Sequence, residues 1–151
     1  MTDITQWDVD AQHMRSLRIH ALRETLADNN IPMFTKYVNE MNDPTYHQGL
    51  CETLVLAVGR NEKWAVEVLL SNVHCSPNFK NALAIQEASK DKNLAMVEFL
   101  YPVSDVDIAL TDMKMMDAPH LYETLENYDL KVRLNNQVEN FAPEKVNKRK
   151  M

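Results

Sequence analysis

Apolar residues recur along the chain at helical spacing, and in its middle third that spacing is written twice. Leu50, Leu54 and Ala57 share one face of a helix, and Ala65, Val68 and Leu69 share a face of the next, which Asn61 can cap. Ile85 and Ala88, followed by Met96, Val97 and Leu100, repeat the arrangement. Laying Glu52–Leu70 over Leu83–Tyr101 brings Leu54 onto Ile85, Ala57 onto Ala88, Val66 onto Val97, Glu67 onto Glu98 and Leu69 onto Leu100, always at an offset of 31 residues. A fixed period of that size marks stacked repeats. Helices of about three turns do not hold themselves in water, so each hairpin has to bury its apolar face on a neighbour.

The pattern extends in both directions. Met14, Leu17 and Ala21, continued by Leu22 and Leu26, form a stripe that Asp28–Asn30 ends. Pro32 opens the next helix, with Phe34, Tyr37, Val38 and Met41 on its face, and Asn42–Pro44 turn the chain. Beyond the central copies, Pro102 stops a helix and Ser104–Asp105 start one carrying Val106, Ala109, Leu110 and Met113. Asp117–Pro119 repeat the stop and start, before Leu121, Tyr122 and Leu125. Leu125 follows Leu100 by only 25 residues, as befits an atypical terminal repeat. Leu130, Leu134, Val138 and Phe141 suit a closing helix, and the alternation over Leu130–Leu134 also suits a short strand. The expected fold is all-α, a short stack of about four helix-turn-helix repeats with atypical caps. It forms one domain over 1–142, and 143–151 is a basic tail expected to be disordered.

The two central copies resemble ankyrin repeats. That family's unit runs Thr-Pro-Leu-His-x-Ala-Ala-x-x-Gly-His-x-x-Ile-Val-x-x-Leu-Leu, then a Gly-Ala-Asp-Val-Asn-like loop. Leu54 and Ile85 stand at its first Leu, Ala57 and Ala88 at its first Ala, Ala65-Val66 and Met96-Val97 at Ile-Val, and Leu69-Leu70 and Leu100-Tyr101 at the Leu pair. Val103–Asp107 is similar to the loop. The Thr-Pro-Leu-His box is absent, and the helix-turn Gly is Asn61 in one copy and Lys92 in the other. The resemblance spans about residues 50–107. It implies a concave face that grips another protein, with no catalytic group and no cofactor. On this alignment Gly59-Arg60 and Lys90-Asp91 close the inner helices and face solvent, while Tyr46 and Pro77–Phe79 lie in the connecting loops.

Composition narrows the function. A net charge of −6 argues against a sequence-independent nucleic-acid binder. The tail carries Lys145, Lys148, Arg149 and Lys150 against Glu144, so it could meet an acidic patch or a nucleic acid if it is not simply a solvated end. No apolar run is long enough to cross a membrane, and the first residues, with Asp3, Asp8 and Asp10, do not suggest a secretory leader. Two cysteines are fewer than a disulfide scaffold uses, so a reducing, cytoplasmic setting is expected. With only two glycines in the chain, Asn29, Asn30, Asn61, Asn72 and Asn78 are the candidates for turns that need positive φ.

Catalytic motifs are missing: there is no phosphate-binding Gly loop, nucleophile elbow or His-Glu-x-x-His helix. His47, Cys51, His74 and Cys75 form the one set worth testing as metal ligands, but His74 and Cys75 are adjacent and adjacent side chains rarely converge on one ion. Met113–Met116 reads either as core or as an adaptable surface. The expected function is non-catalytic protein binding, as an inhibitor, adaptor or effector, with no metal, cofactor or small-molecule substrate. A nucleic-acid mimic or nucleic-acid-associated regulator is the alternative. Candidate partner-binding residues are Arg60, Lys90, Asp91, Phe79, Tyr46 and Trp7; Trp7 either covers the first hairpin or anchors a partner. Replacing Leu69 or Leu100 with Ala should cost roughly 2–5 kcal/mol, the usual loss for a core Leu that leaves a cavity, and denaturant unfolding of each variant measures it.

Overall fold

The computed structural model describes the backbone of residues 2–150 and the side chains of residues 10–138. The side chains of Trp7, of Phe141 and of the tail lie outside the described residues. Among the described residues eight α-helices follow one another: α1 (Thr2–Ala27), α2 (Ile31–Glu40), α3 (His47–Gly59), α4 (Lys63–Leu70), α5 (Phe79–Lys90), α6 (Leu94–Leu100), α7 (Val106–Lys114) and α8 (Pro119–Lys150). Short 3₁₀ turns, Pro44–Tyr46 and Tyr101–Val103, precede α3 and follow α6. Among the described residues there is no strand, so the fold is all-α and the Leu130–Leu134 segment is helical.

One turn recurs between paired helices. After α3, Asn61 takes a left-handed φ of 57°, while Glu62 N–H reaches back to the Ala57 carbonyl (3.0 Å) and Asn61 N–H to that of Val58 (3.0 Å). After α5, Lys92 has φ 55°, Asn93 N–H bonds the Ala88 carbonyl (3.0 Å) and Lys92 N–H that of Ser89 (2.9 Å). Every donor and acceptor of the second turn is thus one period along from the first. This is the helix-ending motif that satisfies orphan carbonyls through a left-handed residue. Asn29 (φ 54°) makes it between α1 and α2, with Asn30 N–H on the Thr25 carbonyl, and Asp117 (φ 52°) ends α7. The four helical hairpins are therefore α1/α2, α3/α4, α5/α6 and α7/α8. Of the asparagines expected at positive φ, Asn29 and Asn61 adopt it. Asn72 acts differently, through its side chain. Its amide donates to the carbonyls of Val38 (2.9 Å) and Met41 (3.0 Å), capping the end of α2. Lys80, Asn81 and Ala82 also sit at left-handed φ near the start of α5, a costly run for side-chain-bearing residues.

The chain divides into two compact units, Met1–Phe79 and Lys80–Met151. In the first, α1 packs on α3 and α2 on α4, so two hairpins lie layer on layer. Leu22, Leu26, Phe34, Val38, Leu50, Leu54, Ala57, Ala65, Val66 and Leu69 are buried, and Phe34 meets Trp64 edge-on at 5.2 Å. In the second unit α6 and α7 pack on α8, and Ile85, Ala88, Met96, Val97, Leu100, Ala109, Met113 and Leu125 are buried. Tyr101, Asp129, Arg133 and Asp107 form a polar chain across this unit. The Tyr101 hydroxyl donates to Asp129 (2.7 Å), and Arg133 bridges Asp129 (3.0 Å) and Asp107 (2.8 Å). Burial and the bond to Asp129 push the Tyr101 phenol up to about 12.

Some apolar residues expected in the core lie outside it. Met14 is 50% exposed and Leu17 49%, and Leu130, Leu134 and Val138 form an exposed stripe on α8. Met113 is core, whereas Met115 and Met116 are exposed.

The two glycines do opposite work. A Cβ on Gly49 would stand 2.6 Å from Cδ1 and 2.7 Å from Cγ1 of Ile19, so the missing side chain lets α1 come close to α3. Around Gly59, nothing lies within 4 Å of that position. Gly49→Ala should destabilise, because overpacking costs roughly 1–3 kcal/mol against a helix gain of about 0.5–1 kcal/mol. Gly59→Ala should keep that gain and stabilise. Urea unfolding of the two variants checks the opposite signs.

Candidate functional site

The residues expected to bind a partner are dispersed. Arg60 is exposed immediately after α3 and, among the described residues, makes no ion pair. Phe79, half-buried, packs edge-on against the exposed His47 ring at 5.9 Å. Tyr46 does not stand at a rim: it is only 6% exposed, and its hydroxyl accepts a hydrogen bond from Arg18 (2.7 Å). The 3₁₀ turn before α3, opened by Asp43 accepting from Thr45 N–H, folds the Tyr46 ring inward. Lys90 and Asp91 belong to the second unit. Asp91 is exposed, but Lys90 is half-buried and lies 3.5 Å from Glu87, so it is a local partner as well as a surface charge.

What the first unit does assemble is an open groove between α1 and the turn leading into α3. About 450 Å³ in volume, it is lined by Arg15, Ile19, His20 and Arg23 on one wall and by Thr45, Tyr46, Gln48 and Glu52 on the other. Arg15, Thr45 and Tyr46 also line an adjoining hollow of about 380 Å³, together with Arg18, Glu40 and Asp43. Helical spacing explains the wall, since Arg15, Ile19 and Arg23 recur every fourth residue of α1 and so face one way. The arginines are held differently. Arg23 donates to Glu52 (3.3 Å) and Thr53 (3.3 Å), and Arg18 to Tyr46, while Arg15 has no such partner among the described residues. The Arg23–Glu52 pair is more than a third exposed and contributes little to stability. A signal for this wall exists in the sequence: residues 11–23 hold three arginines, two histidines and no carboxylate, within a chain of net charge −6.

A second cluster brings together part of the suspected metal set. His47 Nδ1 donates to the backbone carbonyl of His74 (2.8 Å), so His74 contributes its main chain there and not its ring. Cys51 and Cys75 are free and buried. The Cys51 sulfur accepts from Ser76 N–H (3.3 Å) and lies 3.7 and 3.9 Å from the His47 ring nitrogens. Cys75 Sγ is 3.7 Å from the Leu50 carbonyl. Among the described residues, no three His, Cys, Asp or Glu side chains are arranged to hold a metal ion.

No family model, curated protein or solved structure matches the chain. Among the described residues no helix is long and apolar enough to cross a membrane. The chemistry therefore rests on the two clusters themselves.

The nearby Cys75 thiol acts most strongly on Cys51, and the Ser76 N–H and His47 add to its effect. Together they outweigh burial and bring the Cys51 thiol down to about 6. Cys51 in turn, with burial, pushes Cys75 well above the ordinary thiol range. The two shifts run in opposite directions, so Cys51 is the more acidic thiol of the pair. A titration followed by thiolate ultraviolet absorbance should show one sulfur ionising with a midpoint near about 6. That wave should vanish in Cys51→Ser, and Cys75 should stay protonated beyond the range of a free thiol, ~8.5.

Proposed function

We propose that this chain is a non-catalytic protein-binding module, a small ankyrin-like helical array acting as an inhibitor, adaptor or effector, and that it holds an acidic segment of another protein in the α1/α3 groove. The observation that carries this reading is the arginine wall of α1 beside an open groove. Arg15 lines it without a hydrogen bond or ion pair among the described residues, near enough to Asp43 to help Thr45 hold that carboxyl low. Arg23 is pre-oriented by Thr53 and Glu52, and Arg18, on the adjoining hollow, by Tyr46. Guanidinium groups held in place lose less freedom on pairing with a carboxylate, and each such bond is charge-assisted. The repeated hairpin turn and the ankyrin resemblance support the same class of function, since helical arrays present extended surfaces to other proteins. Two free buried thiols suit a cytoplasmic setting. Arg60, exposed beside α4, is a second contact candidate in this unit; Lys90 and Asp91 are candidates in the other.

The test is affinity capture from the source lysate with the wild-type chain and an Arg15→Glu/Arg18→Glu variant of verified fold. The variant should retain a wild-type partner at least about tenfold less well, and added salt should weaken wild-type capture. An unchanged partner set from a folded variant would move the interface to Arg60 or to the second unit. Loss of the partner on nuclease treatment would favour a nucleic-acid-associated regulator instead.

A further inference from the structure

Beside the arginines, the first unit leaves apolar surface uncovered. Met14 and Leu17 stand half exposed on α1, and Ala21 continues their stripe one turn further on. Leu17 and Ala21, facing Tyr37 and Met41 across the first hairpin, line a pocket of about 490 Å³. Two opposite charges line it as well. Arg18, held by the Tyr46 hydroxyl, and Glu40 make no ion pair with each other among the described residues.

We propose that this α1/α2 pocket anchors a large apolar side chain of the partner, so that the segment bound is amphipathic as well as acidic. Resting on the reading of the arginine groove as a site for an acidic segment, this names the second half of what is recognised. Carboxylates of the segment lie on the Arg15 and Arg18 flank, and a Leu, Met or aromatic residue beside them enters between α1 and α2.

Continuity of the surface supports this. Arg18 and Glu40 belong both to the pocket and to the hollow that holds Met14. Arg15, Thr45 and Tyr46 belong both to that hollow and to the arginine groove. The pocket and hollow together run from Ala11 to Ala21 of α1, about 15 Å at the helical rise. That is the length of a helix of roughly ten residues or an extended run of about five. An amphipathic helix laid in a groove is recognised in this way, by a few apolar anchors and a charged flank.

Charge restricts the occupant further. Glu40 and Asp43 line the hollow opposite the arginines, so an unbroken acidic run meets repulsion there, whereas carboxylates on one flank of an apolar residue do not. The chain's own exposed stripe on α8, Leu130, Leu134 and Val138, is a poor fit. It offers Lys131 and Arg133 and no carboxylate over residues 130–138, so a second copy would bring like charge to the arginines.

The probe is a phage-displayed library of random peptides panned on the full chain, with an enriched sequence then made as a fluorescein-labelled peptide for anisotropy. Enriched peptides should set Asp or Glu beside Leu, Met, Phe or Trp. Changing the peptide's apolar residue to Ala should weaken binding at least about tenfold. Ala21→Phe, which fills the pocket, should do the same. Should that variant fail to fold, Leu17→Gln at the half-exposed wall replaces it. In methyl-labelled methionine spectra of the wild type, the Met14 and Met41 signals should move with peptide and that of Met113, buried in the second unit, should not. Acidic peptides without an apolar preference, or an unmoved Met41 signal, would overturn the anchor pocket and leave the arginine groove standing. Enrichment of peptides without carboxylates, or of none, would overturn both.

Discussion

The fold depends on a left-handed turn made without glycine. The helices between α2 and α7 run from seven residues in α6 to 13 in α3, below the length that persists alone in water. Each becomes useful only when folded back against its pair, and the turn at Asn29, Asn61, Lys92 and Asp117 does the folding back. Its hydrogen bonds use carbonyls that the ending helix would otherwise leave unpaired, which offsets the strain of a positive φ. Asn and Asp tolerate that conformation at modest cost, and Lys at more, on the order of 1 kcal/mol. The strain is sustained because burial of Ala57, Leu69, Ala88 and Leu100 is conditional on it.

Much of this is legible from spacing. The offset of 31 identifies the two central hairpins, and the compressed spacing of 25 from Leu100 to Leu125 is matched by the step from Lys92 to Asp117. Periodicity reveals a face but not what covers it, so Met14, Leu17, Leu130 and Leu134 share the spacing of a core they do not join. Local composition misleads at Tyr46, where a loop position suggests exposure but the 3₁₀ turn and Arg18 draw the ring in. The repeat alignment points to the ends of inner helices and away from the arginine wall, although the carboxylate-free run 11–23 is plain in the sequence. Cys51 and Cys75 stand out there beside two histidines. That His74 enters through its carbonyl and Ser76 through its amide is information that only backbone geometry holds.

Where the two central copies differ, each unit's buried polar links supply a physical reason. Thr53 and Ala84 are one period apart, as are Val58 and Ser89, and at each pair one copy is apolar and the other polar. Thr53 accepts from Arg23 and ties α3 to α1 in the first unit. In the second, Gln86 donates to the Asn81 carbonyl (2.9 Å) and to Asp112 (3.0 Å), tying α5 to its own left-handed start and to α7. The Gln86 amide nitrogen has both its partners while its buried Oε1 has none among the described residues, and a slipped register would leave the nitrogen unpaired as well, at roughly 1–3 kcal/mol.

Ser89 shows how far this adaptation goes. Its hydroxyl donates to the Leu121 carbonyl (2.8 Å) and accepts from the Leu125 N–H (3.2 Å), two groups that are i, i+4 partners on the first turns of α8. One side chain on α5 thereby reads the height at which α8 begins. The valine at the equivalent place in the first unit, Val58, has no hydroxyl to offer and fills apolar space instead. The period sets where each hairpin turns, and the departures from it set which neighbour each hairpin accepts. A sequence under both demands keeps its spacing while its side chains diverge from copy to copy, and that combination is what residues 50–107 display.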